Sequence, residues 1–158
     1  MGGGHPFLDG YMNNKRQILL VEDSPGERQL IRLALNEIGA PHELIVVEDG
    51  QQAIDYLFGK GKFTERNMLE RPELILLDLN LPKLTGFEVL KLIRANIHTT
   101  HIPVVIFTSS KLQADMLTGY QLGANSMITK PIEAEPFMEC VKLLGSYWLM
   151  RNHPPPAK

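Results

Sequence analysis

The sequence predicts an α/β fold: a doubly wound, five-stranded parallel sheet of strand order 2-1-3-4-5 with helices on both faces. Three observations predict it. Five short apolar runs alternate with five stretches of helical periodicity. The clearest runs are continuously apolar rather than alternating, as suits strands buried on both faces. Each run is followed by a helical stretch, so the connections are right-handed crossovers and the sheet is parallel. Of the common orders for this pattern, 2-1-3-4-5 suits five units best.

The elements follow in order. Ile18-Leu19-Leu20-Val21 is the first strand and runs into Glu22-Asp23. Pro25 suits a first helical turn, Leu30, Ile31, Leu33, Ala34, Leu35 and Ile38 give the helical face, and Gly39 suits the stop. Leu44-Ile45-Val46-Val47 is the second strand, and Ala53, Ile54, Leu57 and Phe58 mark the second helix. Residues 59–71 carry Lys60, Lys62, Glu65, Arg66, Glu70 and Arg71 without a period, which predicts a long solvated surface loop. Leu74-Ile75-Leu76-Leu77 is the third strand and ends at Asp78; Phe87, Val89, Leu90, Leu92 and Ile93 form the third helix. Val104-Val105-Ile106-Phe107 is the fourth strand and leads to Thr108-Ser109-Ser110; Met116, Leu117, Tyr120 and Leu122 give the fourth helix. Ser126-Met127-Ile128-Thr129 is a weaker fifth strand before Lys130-Pro131, and Phe137, Cys140, Val141, Leu144 and Trp148 form the fifth helix.

At 158 residues, with 44% hydrophobic and 22% charged, the chain suits one ordinary domain. The division expected is an N-terminal flexible arm over 1–14, a folded domain over 15–151 and a Pro-rich tail over 152–158. Lys and Arg total 16 against 18 Asp and Glu, a net charge of -2, which argues against a nucleic-acid binder. No apolar run approaches the ~18 residues needed to cross a bilayer. The single cysteine, Cys140, allows no internal disulfide and fits a reducing, cytoplasmic home.

In an open parallel sheet the ligand site lies beyond the carboxyl ends of the strands, where the winding reverses. For this order that point falls between the first and third strands, so Glu22, Asp23 and Asp78 converge there. Clustered carboxylates repel unless they share a cation, and an all-oxygen set suits Mg²⁺. Thr108 offers a hydroxyl to an anionic oxygen, and Lys130 a compact positive charge. A cis bond at Pro131 would aim Lys130 inward, although trans is the default. A carboxylate, a metal, a hydroxyl and an ammonium are the equipment of phosphoryl transfer, which depends on positioning and charge neutralisation. No P-loop, dinucleotide fingerprint or zinc pattern occurs. His42, His98, His101 and His153 are scattered and read as solvent-exposed.

From Gln17 to Leu149 the sequence resembles the receiver domains of two-component response regulators. The resemblance is carried by residues 18–23, Leu77-Asp78-Leu79-Asn80-Leu81-Pro82, Gly86, Thr108-Ser109-Ser110, Gly123-Ala124 and Lys130-Pro131. Within that family it looks most like the stand-alone regulators of bacterial and cyanobacterial phytochrome histidine kinases, through the 77–82 run, the loop before it and the Ser146-Tyr147-Trp148-Leu149 ending. The resemblance implies the flavodoxin-like, CheY-like (βα)5 fold. It implies Asp78 as phosphoacceptor and Mg²⁺ (or Mn²⁺) bound by Asp23, Asp78 and the backbone carbonyl of Asn80, with Glu22 acting through water. Thr108 would bond a phosphoryl oxygen and Lys130 would pair with the phosphorylated carboxyl. The donor would be a phosphohistidine on a histidine kinase, and the protein would not be an enzyme in the ordinary sense, although it assists its own phosphorylation and dephosphorylation. Asn80 and Ser110 stand where relatives tune the phosphate lifetime. Two positions depart from the pattern: Met127 stands where relatives usually have Tyr or Phe, and Thr85 where they often have Asp.

Output by altered protein binding is expected, with no nucleic acid and no membrane involved. A homodimer through the surface of helix four, strand five and helix five is expected, because the last helix carries more apolar residues than one core-facing stripe needs. That helix carries Phe137, Met138, Val141, Leu144, Tyr147, Trp148, Leu149 and Met150, a set wider than one such stripe. The competing readings are a metal-dependent phosphatase using Asp78 as transient nucleophile, a non-phosphorylated interaction module and, more remotely, an FMN-binding protein.

Overall fold

Five strands form one parallel sheet in the computed structural model, which describes residues 15–156. They are β1 (Arg16–Val21), β2 (His42–Val47), β3 (Leu74–Leu77), β4 (Val104–Thr108) and β5 (Ser126–Thr129). Their order is β2-β1-β3-β4-β5, as the alternation predicted. The helices are α1 (Pro25–Ile38), α2 (Gly50–Phe58), α3 (Gly86–Ala95), α4 (Gln113–Gln121) and α5 (Ala134–Ser146), the last continued by a π-helical turn over Tyr147–Arg151. The arm expected over 1–14 lies outside the described residues.

The double winding divides the core by strand parity. Ile18, Leu20, Leu74, Leu76, Val105 and Phe107 face α1 and α5, where Ile31, Leu35, Phe137, Val141 and Leu144 meet them. Leu19, Val21, Ile75, Leu77, Val104 and Ile106 face the other way, against Ala53 and Leu57 of α2 and Val89, Leu90 and Ile93 of α3. Each fully buried Leu or Ile contributes roughly 1.5–3 kcal/mol. The central strands β1, β3 and β4 are therefore apolar on both faces. The edge strands are not buried throughout: Leu44, Ile45 and Val46 of β2 and all of β5 are half-exposed, since each edge lacks a neighbour on one side.

Three expectations need correction. The helix over 113–121 forms, but its apolar residues do not make a buried face: Leu117 is 61% and Tyr120 54% exposed, and the buried residue is Gly119. Residues 59–71 are mostly exposed, as their charge implies, but the segment is not irregular throughout. A short 3₁₀ turn (Gly61–Phe63) brings Phe63 edge-on to Tyr56 at 5.1 Å, and the Arg66 guanidinium lies 4.1 Å over the same ring. Below it the Tyr56 hydroxyl donates to Gln17 Oε1 at 2.7 Å. Finally, His42 and His101 are half-buried rather than exposed.

The tail leaves the π-helical turn along the amino ends of the strands. Arg16 Nη1 donates to the carbonyls of Trp148 (2.8 Å) and Asn152 (3.1 Å), tying the end of α5 to the start of β1.

Candidate functional site

The register of β1 on β3 builds the site. Val21 pairs with Leu77, and the Asp78 N–H donates to the Val21 carbonyl at 3.2 Å. The residues that follow these strands, Glu22 and Asp78, are therefore neighbours across the switch point. Carboxylate oxygens of Glu22, Asp23 and Asp78 lie within 4.8 Å of one another. Glu22 and Asp78 are buried, whereas Asp23 is open to solvent.

β5 delivers the counter-charge. The Lys130 N–H donates to the Thr108 carbonyl at 2.7 Å, extending the β4–β5 ladder by one step and placing Lys130 at the carboxyl edge of the sheet. Its side chain is 7% exposed and crosses to the acids, donating to Glu22 Oε1 at 2.7 Å and Asp78 Oδ2 at 3.0 Å. All peptide bonds among the described residues are trans, Lys130–Pro131 included, so the inward reach needs no cis bond. Burial alone would lower the pKa of the ammonium; its contacts with Glu22 and Glu27 and the charge of Asp78 more than reverse this and hold it above the usual lysine range. Burial pushes the Glu22 carboxyl up to about 7, against the opposing pull of Lys130, and the charge of Asp78 adds to the rise.

The remaining expected residues have more local roles. Thr108 is fully buried, and its hydroxyl accepts the Ser110 N–H at 3.1 Å. Ser110 donates from Oγ to Asp115 Oδ2 at 2.6 Å and so anchors the start of α4. Asn80 is exposed in the loop after Asp78, and its N–H reaches Asp78 Oδ1 at 3.4 Å. That loop is held close by Gly86, whose N–H donates to the Leu79 carbonyl at 3.0 Å. A Cβ on Gly86 would overlap the Asp78 carbonyl oxygen and lie 2.7 Å from Leu79 Cα, so only glycine allows α3 this near to Asp78. Thr85 caps α3 through a complete capping box with Glu88, which gives this position a structural role. Met127, half-buried, seats its thioether against Gly119 of α4 in the space a Cβ would occupy.

Sequence reasoning missed Glu27. Its Oε1 lies 2.7 Å from Lys130 Nζ, making it a third carboxylate around one ammonium. The only local signal was Ser24-Pro25-Gly26-Glu27, which reads as a capping box and assigns Glu27 to the backbone instead.

Chemically, Glu22, Glu27 and Asp78 surround a single ammonium, with the Asp23 carboxylate beside Glu22 and Asp78, so negative charge is in excess. The donors are hard carboxylate oxygens beside solvent at Asp23, a set that fits a divalent cation of the Mg²⁺ or Mn²⁺ kind. A parallel sheet that gathers acids, a buried hydroxyl and a lysine at the carboxyl ends of β1, β3, β4 and β5 defines the receiver class of signalling protein. The chain belongs to the response regulator receiver domain family, which matches residues 18–142. Members of this family are signalling regulators rather than classical enzymes.

Among its relatives, response regulator Rcp1 of Synechocystis sp. is 39% identical over 137 residues, 87% of this chain and 91% of that protein. The crystal structure of the Mn²⁺-bound form of Rcp1 superposes with a TM-score of 0.84 at 38% identity, covering 89% of this chain and 99% of that one. The phosphorylated cyanobacterial phytochrome response regulator RcpA gives a TM-score of 0.84 at 37% identity, over 90% and 99% of the two chains.

Proposed function

We propose that the chain is a phosphorylation-controlled switch that takes a phosphoryl group onto Asp78 from a phosphohistidine of a histidine kinase. The observation that carries this reading is the buried contact of Lys130 with Asp78 and Glu22 beside the exposed Asp23. An Asp78 carboxylate oxygen attacks phosphorus, the N–P bond of the donor breaks, and the imidazole leaves. Negative charge then increases beside Lys130, which already touches Asp78, and the Thr108 hydroxyl at the end of β4 would bond a phosphoryl oxygen. Asp23, Asp78 and the Asn80 carbonyl would hold the divalent cation, which neutralises charge on the phosphoryl oxygens. Glu22 would act on it through water, because Oε1 is engaged by Lys130 and Oε2 accepts the Ser24 N–H at 3.2 Å. Mn²⁺ in the Rcp1 structure and phosphorylation in the RcpA structure support this assignment. The phytochrome setting of RcpA supports a phytochrome-type kinase as donor.

The output surface runs over α4, β5 and α5. Leu112 (65%), Leu117 (61%) and Ile132 (92%) are exposed there, with Tyr147 and Met150 at the end of α5. Leu149 belongs to the core instead, which narrows the apolar excess expected from the sequence. Such a surface suits a symmetric homodimer. Among the described residues no helix is long and apolar enough to cross a membrane; we place the switch in the cytoplasm on its single cysteine, Cys140, which suits a reducing compartment.

The test is labelling of the full chain with a small phosphodonor. The protein acquires one base-labile phosphate only when Mg²⁺ is present, and Asp78→Asn abolishes it. Labelling that survives in Asp78→Asn, or turnover of many phosphoesters, overturns the assignment. Sedimentation at rising concentration, with and without beryllofluoride, decides the dimer: a monomer throughout removes it.

A further inference from the structure

We propose that Glu27 is a positioning residue of the switch: it holds the Lys130 ammonium in the unphosphorylated state and opposes its transfer to an arriving phosphoryl group. The inference rests on the reading of Asp78 as acceptor given above.

Two capping sequences in the chain behave differently. In α3, Thr85 Oγ1 accepts the Glu88 N–H at 3.2 Å, and Glu88 Oε2 accepts the Thr85 N–H at 3.0 Å. In α1 only the first half forms: Ser24 Oγ accepts the Glu27 N–H at 3.3 Å. The Ser24 N–H is already given to Glu22 Oε2. The Glu27 side chain has lost its backbone partner and turns to Lys130 instead.

The contact made is an ion pair at 2.7 Å without the alignment of a hydrogen bond, and Glu27 Oε1 is buried with no other partner. Lys130 directs its hydrogen bonds to Glu22 and Asp78. A phosphoryl group on Asp78 would bring further anionic oxygens to the same ammonium. Glu27 acts against that state twice, by competing for Lys130 and by repelling the new charge. Both effects have the same sign. Removing the Glu27 charge while keeping its backbone N–H and its length therefore favours the phosphorylated state and leaves the helix cap intact. With the Glu27 side chain 34% exposed, solvent limits the effect.

The experiment uses the full chain, wild type and Glu27→Gln, with Mg²⁺ and beryllofluoride as the phosphoryl mimic. Calorimetry is expected to show roughly two- to fivefold tighter beryllofluoride binding in the variant, the size of a partly exposed ion pair. The ¹⁵N resonance of the Lys130 ammonium supplies a readout that a purely structural role would not move. It differs between the two proteins without beryllofluoride, and the difference shrinks once beryllofluoride is bound. Equal affinities, or an ammonium difference that persists unchanged in the bound state, overturn the inference and leave Asp78 as acceptor. If the wild type itself takes up no beryllofluoride, the acceptor reading falls and this inference with it.

Discussion

Replacing Lys130 by Met tests the electrostatics of the site most directly. The change keeps an unbranched side chain of similar length and removes the charge. Lys130 is 7% exposed, Glu22 2% and Asp78 9%, so the variant leaves two buried carboxylates without their cation. Breaking a buried pair from one side costs about 3–5 kcal/mol. The third partner, Glu27, is 34% exposed and adds little once solvent screening is counted. Against a typical domain stability of about 5–15 kcal/mol the variant still folds. With a urea slope of about 2 kcal/mol per molar, its unfolding midpoint drops by about 2 M.

The loss also depends on pH, and its sign follows from Glu22. That carboxyl sits at about 7 in the folded protein, above its ordinary 4.5, chiefly because burial disfavours its charge. A raised acid favours the folded state below the unfolded pKa, and this advantage is lost as pH rises through the folded one. Without Lys130 the folded value rises further, so the variant goes on losing stability where the wild type has levelled off. Urea titrations from pH 6 to 8.5 without divalent cations are expected to run closest in acid and separate above pH 7. Saturating Mg²⁺ then restores part of the deficit, because a ligand that binds only the folded state stabilises it by mass action. An unchanged midpoint at pH 8, or a deficit that grows towards acid, would refute the view that these acids depend on the lysine.

Gly86→Ala is expected to destabilise the fold by about 1–3 kcal/mol, since its Cβ meets the backbone of Asp78 and Leu79, which no rotamer change can move aside. Gly26→Ala, where the new Cβ finds nothing within 4 Å, is the matched control and should shift the urea midpoint little. Mg²⁺ or Mn²⁺ affinity, followed by calorimetry, should strengthen as pH rises from 6 to 8, because the charge of Glu22 is complete only above about 7. An affinity that is flat over this range would separate Glu22 from the metal.

The loop-and-helix framework outside the site shows how far local pattern reaches. Arg94 is invisible to periodicity, yet it donates to the carbonyls of Gly123 (2.9 Å), Thr100 (3.0 Å) and Ile102 (2.8 Å) and to Asn125 Oδ1 (2.8 Å). It thereby fastens the loops before β4 and β5 to the end of α3. In residues 59–71, Arg66 and Phe63 read as solvated loop because nothing in that segment announces the Tyr56 ring they pack against. Leu117 and Tyr120 carry helical spacing but no instruction about which side of α4 meets the sheet. Gly119 takes that side, because Met127 and Ile106 fill the space beneath it.

The sequence by itself determined the alternation of strands and helices, the strand order and the meeting of residues 22, 23 and 78. Those depend on short-range periodicity and on the fixed handedness of crossovers, both of which act within one unit of chain. The tertiary structure alone decided which partners share the ammonium. Lys130 and Glu22 are 108 residues apart, and the place of Glu27 beside them followed from Glu22 having taken the Ser24 N–H first. Competition for one donor among groups from different elements is settled by distance and direction, and no sequence spacing records either.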